Sequence, residues 1–191
     1  MNPSPTNVSS SYSGSMSGNN IRPADALQVF AFDDDYSFGI LHSSYHRTYF
    51  EERCSKMRVD LRYTSNTVWD TFPWPQAPRD EAVEMVVDVV TRLVGYRDDR
   101  LADGISLESQ YNSLRDPGRN PLRTLQAELD QAVALAYEFS DDDDVLAQLL
   151  ALNQSIAAQE SQGLTEPRHP GNKGLPGTRR TASRIEAAIS L

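Results

Sequence analysis

Apolar residues recur with a helical period throughout the second half of the chain, and no other feature constrains the fold as strongly. From Arg79 onward they return at steps of three and four, which places them on one side of a helix. The pattern runs through three long segments, 79–99, 121–139 and 142–161, with a shorter helical stretch at 106–114. Helices of this kind are expected to pack together as a small bundle.

Capping residues support these helix starts. Asn120 followed by Pro121 provides an N-cap and a first helical residue for the segment at 121–139. Ser140 followed three residues later by Asp143 resembles a capping arrangement for the last helix. The acids at 141–144 lack the spaced ligands and central glycine of a calcium loop, so we expect them to serve this helix N-terminus.

The first half of the chain mixes strand and helix signals. Residues 27–32 (LQVFAF) predict a strand, and the acids at 33–35 offer acceptors to a following helix. That helix is expected over about 36–55, with the apolar stripe Phe38, Leu41, Tyr45 and Tyr49.

Residues 59–75 are expected to be extended. Two alternating runs meet at a Thr-Ser-Asn break within 59–69 and predict a pair of strands, or one strand and an extended loop. In the stretch 72–75 (FPWP) each proline fixes its own φ and keeps the preceding residue out of a helix, so this stretch is a corner.

The sequence therefore predicts an α+β fold that is mainly α, with a strand-containing unit at 21–78 and a helical unit at 79–162. Both ends are rich in Gly, Pro and polar residues and bury too little apolar surface to offset the entropy of ordering. We expect a disordered leader at 1–20 and a flexible tail at 163–191, with room for a short helix at 181–190.

The net charge of −9 argues against binding of nucleic acid by bulk electrostatics, because phosphate neutralisation needs local Lys and Arg. Acids concentrate at 33–35, 98–103 and 141–144, whereas five basic residues and only three acids lie between His42 and Tyr63. The five are Arg47, Arg53, Lys56, Arg58 and Arg62. One segment is therefore locally basic within an acidic chain.

The sequence gives no support to membrane insertion or export. It has no apolar run long enough to span a bilayer and no basic-then-apolar signal sequence at its start, so a cytoplasmic location is expected. The single cysteine, Cys54, cannot form an internal disulfide and is expected to be a small, half-buried filler on a helix.

Few residues suggest catalysis or metal binding. His42 and His46 lie one helical turn apart, but no matching Cys or His pair completes a zinc site. A partly exposed helix face and hydrogen bonds to phosphate are the favoured alternatives for this pair. No phosphate-binding glycine loop, nucleophile elbow or Ser-His-Asp set can be assembled, so we expect neither a catalytic residue nor a bound metal.

A polar row remains at Arg58, Asp60 and Arg62. In an extended strand these residues project to the same side, since strand residues two apart share a face. Arg can pair bidentately with guanine and a carboxylate can accept from cytosine, which suits the row to a DNA groove. On the pattern alone, an exposed strand face with cross-strand ion pairs is the more frequent alternative.

Segments with rare residue types follow one another in a fixed order: 38–46 (FGILHSSYH), 53–54 (RC), 60–64 (DLRYT) and 68–75 (VWDTFPWP). Others follow downstream: 111–114 (YNSL), 117–122 (PGRNPL), 129–133 (LDQAV), 136–137 (AY) and 149–153 (LLALN). Together they closely resemble the C-terminal part of MmeI-like and related class I adenine-specific DNA methyltransferases of restriction-modification systems. The resemblance covers about residues 27–162.

The resemblance implies that 21–78 is the end of a target-recognition domain and that 79–162 is a helical domain packed against DNA and the methyltransferase core. Double-stranded DNA is then the partner. Candidate base contacts are Arg58 and Asp60, and candidate phosphate contacts are Arg47, Arg53 and Lys56. Arg62, Thr64 and Ser65 complete the candidate DNA-binding set, while Tyr63, Phe72 and Trp74 are alternatives that pack the corner.

The chain also departs from this family. The S-adenosylmethionine site and the Asn-Pro-Pro-Tyr-type motif, which lie upstream in family members, do not occur here, so the cofactor is expected for the full-length family and not for this chain. After Asn153 a Gly/Pro-rich tail replaces the family's usual ending, which indicates a split or truncated product. Three functions stay open: a DNA-recognition fragment, a helical module that docks on a separately encoded catalytic chain, and a non-functional remnant.

Overall fold

The structure, a computed structural model, describes residues 27–32, 34–57, 60–140, 143–162 and 186–190. The predicted leader at 1–20 lies outside these residues, as does the predicted tail apart from its last few positions. The described part is mainly helical, as the sequence predicts. Its α-helices are α1 (Asp35–His42), α2 (Ser44–Arg53), α3 (Asp80–Ala102), α4 (Leu107–Asn112), α5 (Pro121–Tyr137) and α6 (Val145–Ser161).

Short strands pair in two antiparallel ribbons. β1 (Leu27–Phe32) pairs with β4 (Glu186–Ser190), and β2 (Ser55–Met57) pairs with β3 (Asp60–Arg62). Residues 186–190 therefore do not belong to the short helix predicted at 181–190. Pairing with β1 gives these residues inter-strand hydrogen bonds that no local pattern in the tail predicts.

The helix predicted over 36–55 is two helices with a break at Ser43. Ser43 has extended dihedrals, φ −71° and ψ 162°, and both its N–H and its hydroxyl donate to the carbonyl of Ile40, over 3.4 and 2.7 Å. The new N-terminus at Ser44 is stabilised by Asp130 of α5, whose Oδ1 accepts from the Ser44 N–H at 2.8 Å. The predicted acidic cap before α1 is confirmed, since Asp34 accepts from the N–H of Ser37 at 2.6 Å.

The second extended run predicted within 59–69 is wrong. Residues Ser65–Trp69 form one π-helical turn, and the N–H of Val68 also donates to the carbonyl of Thr64, just before the turn, at 3.0 Å. Val68 is fully buried, and the turn brings it into the core while Trp69 stays half-buried. Burial of Val68 therefore outweighs the strand preference of its β-branched side chain.

The long helices begin close to their predicted positions, but one cap differs. Asn120 caps α5 as predicted, accepting from the N–H groups of Leu122 and Arg123 at 2.9 and 3.3 Å. At α6 the N-cap is Asp144 rather than Ser140, and it accepts from the N–H groups of residues 146 and 147 at 2.7 and 3.3 Å. Asp144 directly precedes α6, so its side chain lies closer to the free N–H groups of the first helical turn than the side chain of Ser140, four positions earlier.

One hydrophobic core joins the helices on both sides of residue 78. α1 approaches α3 so closely that a Cβ at Gly39 would lie 2.5 Å from Val86 Cγ1 and 2.9 Å from Val90 Cγ2. α3 in turn packs against α5, which contributes Leu129 and Val133 to the core. None of the helices that the structure describes has the length and apolar character needed to cross a bilayer.

Candidate nucleic-acid interface

The predicted DNA-contacting residues cluster along one continuous stretch, α2 to the π-helical turn. Arg47 and Arg53 lie on α2, Lys56 in β2, Asp60 and Arg62 in β3, and Thr64 and Ser65 where the π-helical turn begins. Arg58 lies outside the described residues. The side chains of Arg47, Arg53 and Thr64 are described. For Lys56, Asp60 and Arg62, the pairing of β2 with β3 gives the register.

The exposed face of α2 presents two arginines. Arg47 Nε donates to Glu51 Oε1 at 2.8 Å, and the two side chains are 57% and 46% exposed. The guanidinium of Arg53 lies 6.0 Å from the centre of the Tyr49 ring. An exposed ion pair of this kind contributes little to stability, so Arg47 can exchange its partner for another anion at small cost.

The hairpin formed by β2 and β3 is fixed to α2 at both of its ends. Before β2, Cys54 is the C-cap of α2, and its N–H donates to the carbonyl of Phe50 at 2.8 Å; it is buried, more fully than the half-buried helical filler that the sequence predicts. After β3, the buried Tyr63 stacks on Phe50 with ring centres 5.5 Å apart. Its hydroxyl also lies 3.2 Å from Nε2 of His46.

The register of the hairpin assigns the candidate residues to its two faces, with Asp60 and Arg62 on one face and Lys56 on the other. Met57 pairs with Asp60 and Ser55 with Arg62, while Lys56 pairs with Leu61. Directly paired residues of an antiparallel ribbon belong to the same face, and neighbours along a strand alternate. The expectation that Arg58 shares a face with Asp60 and Arg62 stays a prediction, because Arg58 is not described.

Thr64 belongs to the turn that follows the hairpin. Its side chain is half-buried, and its hydroxyl hydrogen-bonds with the hydroxyl of Thr67. Its carbonyl accepts from Val68, as described above. Thr64 is therefore held by local contacts at the point where the chain leaves β3.

Both histidines hydrogen-bond to tyrosines. His42 is half-buried, in keeping with the partly exposed helix face predicted for the pair, whereas His46 is buried and departs from that prediction. Nε2 of His42 lies 2.8 Å from the hydroxyl of Tyr111, and the His42 ring stacks on Phe38. Burial, together with the charge of Arg97, lowers the pKa of His42 to about 3. The described residues contain no cluster of side chains suited to a metal ion.

His46 is almost fully enclosed. It lies against Tyr63 and meets the edge of Phe72 at a centroid distance of 4.9 Å, and burial lowers its pKa to about 4. Both rings are therefore neutral at pH 7, which makes them supports for the hairpin and the corner rather than cationic ligands for phosphate.

The corner at residues 71–75 is packed and bonded from several helices. Trp74 is 1% exposed and meets Phe72 and Trp69 edge to face, which favours the packing role over direct DNA contact. The Tyr49 hydroxyl donates to the carbonyl of Thr71 at 2.8 Å, and the Tyr137 hydroxyl donates to that of Pro73 at 2.9 Å. The Asn153 side-chain amide of α6 also donates to the Thr71 carbonyl. The corner thus joins α2, α5 and α6.

Comparisons with known proteins agree on the kind of domain. Residues 13–76 match the family model "MmeI, target recognition domain". The chain is 28% identical over 127 residues to DNA methyltransferase A of Bacillus subtilis (strain 168), which covers 63% of this chain but only 13% of that protein.

A solved structure gives the same indication for the fold. It is that of the Type IIL restriction-modification enzyme MmeI in complex with DNA, with a TM-score of 0.54 and 22% identity, covering 65% of this chain and 16% of that one. The aligned portion thus shares the fold of one part of MmeI. Together the comparisons support an MmeI-like target-recognition region in this chain.

Proposed function

We propose that this chain recognises a DNA target for an adenine-specific DNA methyltransferase whose catalytic domain lies outside it. The observation that carries the proposal is the hairpin at residues 55–62, which lies inside the stretch matching the target-recognition model and is fixed to α2 by Cys54 and Tyr63. A hairpin of two strands can enter the major groove of B-DNA. The presence of DNA in the MmeI structure supports the same choice of ligand.

The hairpin register supports a division of roles. Asp60 and Arg62 occupy one set of positions, and Lys56 occupies the other. We assign Asp60, with Arg58, to base edges, because a carboxylate accepts from the cytosine amino group and Arg donates to guanine. We assign Lys56, Arg47 and Arg53 to phosphates, which hold the duplex in register without reading its sequence.

Thr64 and Ser65 follow the hairpin directly and are assigned to the sugar-phosphate backbone beside it, where hydroxyl groups are common donors.

Chemistry is assigned to another polypeptide or domain. The sequence has neither the glycine-containing S-adenosylmethionine motif nor an Asn-Pro-Pro-Tyr-type motif, so no residue of this chain is assigned to the cofactor or to a flipped adenine. The matched region makes up 13% of one relative and 16% of the other. In this proposal the chain acts in the cytoplasm, where DNA and the methyltransferase meet.

The test measures DNA binding by the full chain of 191 residues. Duplexes of random sequence are titrated at several salt concentrations, and bound sequences are recovered and read. Arg53→Gln should reduce the slope of log affinity against log salt by about 0.9, the value of one phosphate contact. Asp60→Asn should change the recovered sequence at one position and leave the salt slope unchanged.

A matched control removes a cation elsewhere. Arg92 lies on α3, 46% exposed, and is paired with Asp88 and Glu128. Arg92→Gln should leave both the slope and the recovered sequence unchanged. No binding of the chain to any duplex at low salt would refute the proposal.

A second candidate function, docking on a separately encoded methyltransferase chain, is favoured by an apolar groove between α3 and α5. Met85 and Leu135, each 46% exposed, line it together with Ala82, Arg79 and Glu81. Co-purification of the chain with that methyltransferase, lost in Met85→Ser and Leu135→Ser, supports docking. DNA binding by the chain alone supports the first function instead.

A further inference from the structure

A second basic feature lies outside the hairpin, in the segment 113–120 between α4 and α5, which we call the arginine loop. The guanidinium of Arg123, in the first turn of α5, hydrogen-bonds to the backbone of this loop. Its Nη1 donates to the Gly118 carbonyl at 2.7 Å, and its Nη2 donates to the carbonyls of Leu114 and Asp116 at 2.6 and 2.8 Å. Three hydrogen bonds from one planar group fix the path of the backbone.

Further contacts close the base of the loop. The side-chain amide of Asn120 donates to the carbonyl and to the hydroxyl oxygen of Ser113, at 3.1 and 3.0 Å. Gly118 has φ +109°, a conformation that side-chain-bearing residues rarely adopt, and it allows the reversal between these contacts. The loop is therefore a fixed surface feature despite its Pro and Gly content.

Two arginines on this loop differ from the other arginines whose side chains are described. Arg115 and Arg119 are both exposed, and within the described residues neither makes a hydrogen bond, an ion pair or a ring contact. By contrast Arg47, Arg79, Arg92 and Arg100 have carboxylate partners, Arg53 lies over Tyr49, Arg97 is buried beside Tyr111, and Arg123 holds the loop. Asp116 is the one acid between Arg115 and Arg119.

The helices on both sides of the loop contact the junction of α1 and α2. From α4, Tyr111 bonds to His42, and from α5, the Gln126 side chain donates to the His42 carbonyl at 3.0 Å. Ser44, at the start of α2, bonds to Asp130, ten residues after Asn120 and so about 15 Å along the axis of α5. One turn of B-DNA spans about 34 Å, so a single duplex is long enough to meet α2 and the loop together.

We infer that the arginine loop is a second contact for the DNA backbone, with Arg115 and Arg119 each binding a phosphate. The inference rests on the proposed function, since it assigns further residues to the same ligand. Arginine matches the geometry of phosphate oxygens, and a loop already held in place loses little conformational freedom on binding. The preceding segment is acidic, with Asp98, Asp99 and Asp103 near the end of α3. The arginine loop, with two arginines and one acid, is by contrast a local basic site in an acidic chain.

The experiment uses duplexes of random sequence and the full chain, with the double variant Arg115→Gln/Arg119→Gln. Both side chains lie outside the contacts that fix the loop, so its fold should be retained, which thermal unfolding checks. Loss of two phosphate contacts should reduce the salt slope by about 1.8. The sequences recovered from the pool should be the same as for the unmodified chain, because phosphate contacts carry no sequence information.

The matched control is Arg79→Gln/Arg100→Gln, which removes the same charge from two exposed arginines that already have carboxylate partners. Its salt slope should change by less than half as much as that of the loop variant. If both double variants weaken binding equally, the effect is one of overall charge and the inference is wrong.

The inference and the proposed function fail in different ways. If the unmodified chain binds DNA and the loop variant binds with the same slope, the loop has another partner, such as an acidic protein surface, and the inference alone is overturned. If the unmodified chain binds no duplex, the proposed function fails and the inference falls with it.

Discussion

The corner at residues 71–75 and the arginine loop at 113–120 are both irregular, proline-containing segments held by side chains that donate to backbone carbonyls. They differ in where the donors come from. In the corner, the donors Tyr49, Tyr137 and Asn153 lie 22, 64 and 82 residues from their acceptors. In the loop, Arg123 reaches acceptors no more than 9 residues away.

This difference separates two tasks. The corner is buried with Phe72 and Trp74 and joins three helices, so its contacts are part of the global fold. In the arginine loop only the half-buried Leu114 packs against the core, and the exposed Arg115 and Arg119 take no part in core packing. We therefore expect substitutions in the corner to lower the free energy of unfolding, and substitutions in the loop to leave it nearly unchanged.

The largest effect is expected for Trp74→Ala. It removes a ring that is 1% exposed and leaves a cavity between Phe72 and Trp69, so the free energy of unfolding should fall by about 3–5 kcal/mol. Urea denaturation followed by circular dichroism measures the change. The loop control, Arg119→Ala, should change it by no more than about 0.5 kcal/mol. Equal effects at the two positions would remove the distinction between the regions.

Acidification should weaken the contacts on which the corner rests. Burial lowers the pKa of His46 from 6.5 to about 4. Between these two pH values the histidine is protonated in the unfolded chain but remains neutral in the folded chain. His46 therefore contributes stability above pH 6.5 that is progressively lost as the pH falls towards 4. At about pH 5 the free energy of unfolding should be lower by about 2 kcal/mol than at neutral pH.

The measurement compares urea unfolding at neutral and mildly acidic pH in the unmodified chain and in His46→Gln. The variant should lose about 2 kcal/mol less over that interval, because its side chain does not titrate. Identical pH dependence in both proteins would show that His46 is not protonated on unfolding and would contradict the prediction. The arginine loop contains no histidine, so its amide exchange should not follow the same pH dependence.

Tyr137→Phe tests one long-range hydrogen bond of the corner. It removes the hydroxyl that donates to the Pro73 carbonyl at 2.9 Å and leaves that buried acceptor without this donor, at a cost of about 1–2 kcal/mol. Chemical denaturation measures it. Tyr96→Phe is the matched control, because the Tyr96 hydroxyl makes no hydrogen bond to any described residue, and its cost should stay below about 0.5 kcal/mol.

Among the variants that remove a described contact, the smallest global effect is expected for Arg123→Gln, which removes the hydrogen bonds that hold the arginine loop. The free energy of unfolding should fall by less than about 1.5 kcal/mol, because the side chain is exposed and its acceptors turn to water. Amide hydrogen exchange should nevertheless become faster throughout 113–120 and stay unchanged in α3 and in the corner. Unchanged exchange in the loop would mean that Arg123 does not order it.

Local signals predicted most of the helical part. The apolar period located α3, α5 and α6, and the Asn120-Pro121 pair marked the start of α5, because a helix stripe and a cap depend on residues within a few positions of each other. Packing of Trp74 in the corner was one of the two alternatives predicted for it, and the structure buries it. The order of rare segments led to the target-recognition region before any packing was known.

Long-range contacts decided the rest. The sequence pattern does not place Asp130 beside Ser44, and this contact helps to stabilise the second helix that begins after the break at Ser43. The sequence predicts a partly exposed helix face or phosphate contacts for His42 and His46, whereas the structure gives them hydrogen bonds to Tyr111 and Tyr63, 69 and 17 residues away, and buries His46. The close packing at Gly39 likewise depends on α3. Local patterns predict that α3 is a helix, but they do not predict that it packs against Gly39.

By itself, then, the sequence determined which segments are helical, where two of them are capped, and which family of DNA-recognition regions the chain resembles. The tertiary structure alone decided where the first predicted helix breaks, what surrounds the histidines, and how the hairpin and the corner are held to the helices. The reason is physical: periodicity and capping are short-range properties of the backbone, whereas burial and hydrogen-bond partners depend on which distant segments meet when the core closes.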